Sequence, residues 1–162
     1  MKHLFALTLA LSLAGCVTMG VPVANHPEAQ PFDAARNARA DVDAALARAK
    51  DSDKHVLLVM GGNWCHDSRA LAGWLETPRF RTLLAAEYEP VFVDVGVPQT
   101  GEGRNLDIAE RFGLEELPGT PNLLVLTADG TPINADSATG WRNAASRSED
   151  DIYAELVRLA QL

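Results

Sequence analysis

One side chain in this sequence is placed for nucleophilic chemistry. Cys65 stands in the run Trp64-Cys65-His66-Asp67-Ser68, just after an apolar segment (His55 to Met60) and the Gly61-Gly62 break. Such a residue opens a helix at the carboxyl end of a buried strand, where open α/β sheets place their sites. The helix N-terminus offers free N–H groups and a positive partial charge to the sulfur, which favours the nucleophilic thiolate. His66 adds positive charge when protonated. Ser68, one turn on, carries a hydroxyl able to hydrogen-bond the sulfur. The competing reading is a small, buried, inert thiol, since free cysteine is among the most buried residue types.

The elements that must position this thiol follow from periodicity. Ala35, Ala38, Val42, Ala45, Leu46 and Ala49 recur at helical spacing within Asp33 to Lys50. His55 to Met60 is continuously apolar, as expected of a strand buried on both faces. Cys65 to Glu76 reads as a helix, and Thr77-Pro78 restarts one with Pro78 at its first position. Tyr88 to Val95 is a second strand, 96–103 a loop, and Asn105 to Phe112 a short helix ended by Gly113. Pro121 to Thr127 is a third strand, and Ala128-Asp129-Gly130-Thr131 is a hairpin turn leading to an expected fourth. Ser148 with Asp151 starts a final amphipathic helix carrying Ile152, Leu156 and Leu159. The order predicts an α/β domain, a small mixed sheet flanked by helices on both faces.

Against that frame, the block VLLVMGGNWCHDS together with IAERFGLEELPGTPNLLVLTADG resembles the thioredoxin superfamily. The similarity covers about residues 54–135 and implies a thioredoxin-like fold. It also implies that Cys65 is the nucleophilic cysteine, that Pro121 after Thr120 is the cis-proline facing it, and that Trp64 shields one side of the sulfur. Trp64, Thr120 and Pro121 would then line the groove for an extended substrate. Two departures matter. Ser68 occupies the place of the family's resolving cysteine, and Val59 stands where many thioredoxins carry a buried Asp. A hydroxyl cannot release a mixed disulfide, so dithiol reductase activity is not expected. Two functional readings remain beside the inert thiol. One is a monothiol exchange site acting on cysteine-containing envelope proteins or small thiols. The other is a binding module that keeps the groove without turnover.

The N-terminus accounts for the second cysteine. Lys2 precedes an apolar run of ten residues from Leu4 to Leu13, too short to span a hydrocarbon core of about 30 Å. The run ends in Leu13-Ala14-Gly15-Cys16, which resembles the lipobox of bacterial lipoproteins. The resemblance implies a signal peptide over 1–15 and acylation of Cys16. With Val17 next, it also implies an address on the periplasmic face of the outer membrane. Residues 16–31 carry three prolines and no sustained period, so they read as the lipidated cysteine and a flexible tether; 32–162 form the domain.

Composition closes off other classes. The 162 residues hold 22 Asp and Glu against 14 Lys and Arg, a net charge of −8 with no basic run, so nucleic acid is not an expected partner. Two cysteines exclude a disulfide scaffold and a multi-thiolate metal site. His3 falls in the expected signal peptide and His26 in the tether, leaving His55, His66, Asp67 and Cys65; consecutive ligands close poorly on one ion. The expectation is therefore a monomer with no metal and no cofactor. His55 enters a strand, out of place for a Cys-His hydrolase pair. Gly101-Glu102-Gly103 lacks the third glycine and the helix of a nucleotide fingerprint. Trp74, Phe80 and Phe112 read as core, and Trp141 as a possible border of the site.

Overall fold

The computed structural model describes residues 26–162. The expected signal peptide and Cys16 lie outside the described residues. Helix α1 (Ala38–Ser52) starts later than its apolar spacing suggests, because Asn37 caps it through the Ala40 N–H at 3.2 Å. Asp33 folds the preceding chain into an Asx turn instead. Strand β1 (His55–Gly61) follows, then α2 (His66–Leu75), α3 (Pro78–Glu87) and strand β2 (Tyr88–Asp94).

The stretch expected as a plain loop holds a two-residue ladder, β3 (Gly96–Val97) against β4 (Glu102–Gly103), closed by a 3-10 turn over Pro98–Thr100. Gly96 has φ +62 and its missing side chain leaves room for the Glu102 carbonyl, which makes that turn possible. Helix α4 (Leu106–Arg111), strand β5 (Asn122–Leu126), 3-10 turns at Ala138–Trp141 and Ala144–Ser146, and α5 (Glu149–Leu159) complete the chain.

The main sheet runs β2-β1-β5, with β1 parallel to β2 and antiparallel to β5. Because side chains alternate across a strand, β1 divides its apolar run between two cores. Val56, Leu58 and Met60 meet Val42, Ala45 and Ala49 of α1 and Ile108 of α4. Leu57 and Val59 meet Leu71 and Leu75 of α2, Phe80 of α3, and Ile152 and Leu156 of α5. Helices cover both faces, as the element order predicted. Trp74, Phe80, Phe112 and Trp141 all belong to these cores, so Trp141 is a core residue, 3% exposed. Among the described residues no helix is long and apolar enough to cross a membrane.

The expected fourth strand is the main departure. After the turn at Thr127–Gly130 the chain makes one bridge, Leu126 to Pro132, held by the Thr127 N–H to the Thr131 carbonyl at 2.9 Å and the Ile133 N–H to the Val125 carbonyl at 2.8 Å. The ladder ends there because the Val125 N–H, which a longer strand would give to the Ile133 carbonyl, goes to a side chain. The buried Asn134 side chain substitutes for a strand: it accepts from the Val125 N–H at 2.7 Å and donates to the Leu123 carbonyl at 3.0 Å.

The described part of the expected tether, residues 26–31, lies along the domain. Ala29 N–H donates to the Arg69 carbonyl at 3.1 Å. Farther on, Phe32 and Asn63 exchange two bonds, at 3.1 and 2.8 Å, and the Phe32 ring is buried. Gly73, in the middle of α2, makes this approach possible. A Cβ there would sit 2.6 Å from the Glu28 nitrogen and closer still to the Pro27 carbonyl.

Candidate functional site

Strand β1 delivers the chain to a break at Gly62, where the Cys65 N–H bonds back to the Gly62 carbonyl at 3.0 Å and turns the backbone into α2. Cys65 is the N-cap of α2, extended at φ −84 and ψ 123, and no side chain caps the helix. The first-turn N–H groups thus end at a cysteine where a Ser or Asp would ordinarily accept from them. The neighbouring strand, β5, brings the Thr120–Pro121 segment to the same place. That peptide bond is cis, and the Cys65 thiol donates to the Thr120 carbonyl at 3.4 Å. Residues 65 and 120, far apart in sequence, meet because β1 and β5 are paired from Val56–Leu126 to Met60–Asn122.

Trp64 stands outside the sulfur, half exposed, its indole N–H anchored to the Gly96 carbonyl at 3.0 Å. Cys65 itself is 9% exposed. Ser68 is fully buried, and its hydroxyl accepts from the Gly62 N–H at 3.4 Å instead of bonding the sulfur. The spacing expectation gave Ser68 and Cys65 as neighbours; the inward-facing first turn gives Ser68 to the glycine break. His66 also turns away from the thiol. Its Nδ1 lies 3.3 Å from Glu28 Oε1 and its Nε2 3.3 Å from His26 Nε2.

Sequence reasoning passed over the residues that hold this arrangement. Arg69 donates to the carbonyls of Asn63 and Trp64 at 3.1 and 3.2 Å, fixing the loop that carries Trp64. Its guanidinium also binds Glu28 at 3.0 Å and holds that carboxyl below the usual carboxylate range. Asp67 accepts from the Ala145 N–H at 2.8 Å and ties α2 to the turn before α5. Asn122 donates to the Gly119 carbonyl at 2.8 Å, bracing the turn before Pro121. Thr120 Oγ1 and Asn122 Oδ1 are buried without a hydrogen-bond partner among the described residues. The one available signal was Arg69 and Asp67 themselves, charged residues beside a cysteine at a helix start.

A family described as thioredoxin-like matches residues 37–128, from α1 through β5, a span that contains Cys65, Thr120 and Pro121. Among solved structures, the chain is similar to a disulphide isomerase from Xylella fastidiosa Temecula1. That likeness is at 32% identity and TM-score 0.73, over 81% of this chain and 97% of that one. The comparison with curated proteins found no match.

Proposed function

The chain belongs to the thioredoxin-like family, and on that premise we propose that it carries out thiol–disulfide exchange through a single thiol, Cys65. One observation carries this reading: the sulfur sits at an uncapped helix N-terminus, 3.4 Å from the carbonyl before cis Pro121, with a buried serine where a second thiol would stand. The disulphide isomerase among its structural relatives supports the same chemistry.

In the forward step the Cys65 thiolate attacks one sulfur of a partner disulfide. The partner's S–S bond breaks, a bond from Cys65 to that sulfur forms, and the other sulfur leaves as a thiolate. Ser68 has no sulfur with which to attack the adduct. An external thiol must therefore cleave it, taking the partner sulfur and returning Cys65 to the thiolate. Trp64, Thr120 and Pro121 line the approach in this reading, with Trp64 the exposed member. Cysteine-containing envelope proteins and small thiols are the substrates of this reading.

We extend the proposal to location. Cys16 is acylated after loss of residues 1–15 and anchors a monomeric domain at the periplasmic face of the outer membrane. Several acyl chains hold a protein on a membrane far more firmly than one. Cys16→Ala should release the protein from the membrane fraction; a variant that stays bound contradicts the anchor.

A second reading, a groove that binds partners without turnover, has one observation in its favour: Cys65 is only 9% exposed. Trapping in intact cells separates the two. Under exchange, quenching with an alkylating agent recovers mixed disulfides that vanish in Cys65→Ala and become short-lived in Ser68→Cys. Partners retained non-covalently by Cys65→Ala, with no adduct in the parent, support the binding module.

A further inference from the structure

His26 lies in the stretch expected as tether, but the fold brings it to the edge of α2. His26, Glu28 and His66 form one cluster, the two imidazoles with Nε2 atoms 3.3 Å apart and ring centroids 4.8 Å apart. The other nitrogen of each ring faces an acceptor. His26 Nδ1 lies 3.2 Å from the Pro27 carbonyl, and His66 Nδ1 lies 3.3 Å from Glu28 Oε1. With the ring protons on Nδ1, where these acceptors can take them, both Nε2 atoms present lone pairs to the same gap. Two lone pairs at that distance repel unless a cation sits between them.

We propose that His26 and His66 bind a divalent transition-metal ion of the zinc class through their Nε2 atoms. Imidazole pairs suit such ions and not calcium or magnesium, which take oxygen ligands. Zinc–nitrogen bonds of about 2.0–2.1 Å at a tetrahedral angle hold two nitrogens about 3.3–3.4 Å apart, the separation seen here. Glu28 is the positioning residue. Its Oε1 holds the His66 ring in the carboxylate–histidine–metal arrangement, while Oε2 is fixed by Arg69 at 3.0 Å. The remaining coordination positions open to solvent, since His66 and Glu28 are exposed. A bound ion cross-links the chain at residue 26 to the residue that follows Cys65. It would fasten the N-terminal stretch beside the thiol.

The test is zinc(II) titration of the untagged full chain by calorimetry. The parent chain should bind with His26→Ala and His66→Ala each weakening affinity by about a hundredfold, and Glu28→Gln by about tenfold. Cys65→Ser should bind as tightly as the parent, which keeps this outcome independent of the thiol chemistry proposed above. Proton NMR should show the His26 and His66 ring signals shifting on zinc addition while the His55 signals do not move. Unchanged thermal unfolding in the two alanine variants shows that they fold. No zinc binding by the parent, binding indifferent to both histidines, or binding lost in Cys65→Ser would each overturn the site and leave a pair that shares a proton.

Discussion

Replacing Gly73 by alanine puts the docking of the N-terminal stretch to a quantitative test. In an ordinary helix the exchange is favourable by about 0.8–1.0 kcal/mol, because alanine loses less backbone freedom on folding. Here the new Cβ would lie 2.6 Å from the Glu28 nitrogen, and ordinary contact begins at 3.4 Å, so the backbone of residues 27–28 must retreat by at least 0.8 Å. The Ala29 N–H to Arg69 carbonyl bond, now 3.1 Å, would stretch to about 3.9 Å and cease to be a hydrogen bond. Losing it costs about 0.5–1.5 kcal/mol, close to the propensity gain. The change in global stability should therefore lie between a gain of about 0.5 and a loss of about 0.7 kcal/mol in urea unfolding. Amide exchange at Ala29 should be about fivefold faster, the factor that corresponds to a bond of about 1 kcal/mol. The same retreat separates His26 from His66 and should weaken zinc binding. Unaltered protection at Ala29, or a stability gain of the full alanine propensity, would refute the close approach of residues 27–28 to α2.

Three further outcomes follow from other parts of the fold. Asn134→Ala orphans the buried Val125 N–H and Leu123 carbonyl, each costing about 1–3 kcal/mol, so urea unfolding should report a loss of at least about 2 kcal/mol. A loss under about 0.5 kcal/mol would show that the side chain does not stand in for a strand. The Tyr88 hydroxyl donates to the Leu156 carbonyl at 2.6 Å, and burial pushes the phenol above its ordinary value of 10.0. The unfolded chain therefore sheds this proton first; Tyr88 contributes stability fully below about pH 10 that is lost as pH rises beyond it, and Tyr88→Phe should flatten that decline. Identical alkaline slopes in the two proteins would contradict it. Ser68→Cys should shorten the life of any Cys65 mixed disulfide, read by quench-flow alkylation, since a second sulfur then stands one turn away; an unchanged lifetime would show that the buried first turn keeps position 68 from the adduct.

Much of the frame was readable because its signals are local. The uninterrupted apolar run of β1 announced a strand covered on both faces, and the Gly61-Gly62 break with Trp64-Cys65 announced a strand-to-helix turn. Thr120 and Pro121 were expected opposite the thiol by resemblance, and pairing of β5 with β1 brings the Thr120 carbonyl to the sulfur. What spacing could not decide was competition between partners. Ser68 lies within reach of both the sulfur and the Gly62 N–H, and only the inward tilt of the first helical turn awards it to the glycine. Docking of residues 26–31 was hidden for a different reason. Proline-rich chain without period reads as tether, and the feature that betrays its seat is a lone glycine inside a helical pattern, Gly73, whose purpose is visible only in three dimensions. The fourth strand stopped after Ile133 because the Asn134 side chain takes the Val125 N–H, a competition that alternation of apolar and polar residues does not show.

The most direct test of the central proposal is the intact mass of the native full chain after exposure to excess oxidised glutathione. Monothiol exchange predicts one glutathione on Cys65, absent in Cys65→Ser and removed by added free thiol. A Cys65 that stays unmodified in the native protein and reacts only after unfolding would contradict it, and would make this cysteine a buried structural thiol.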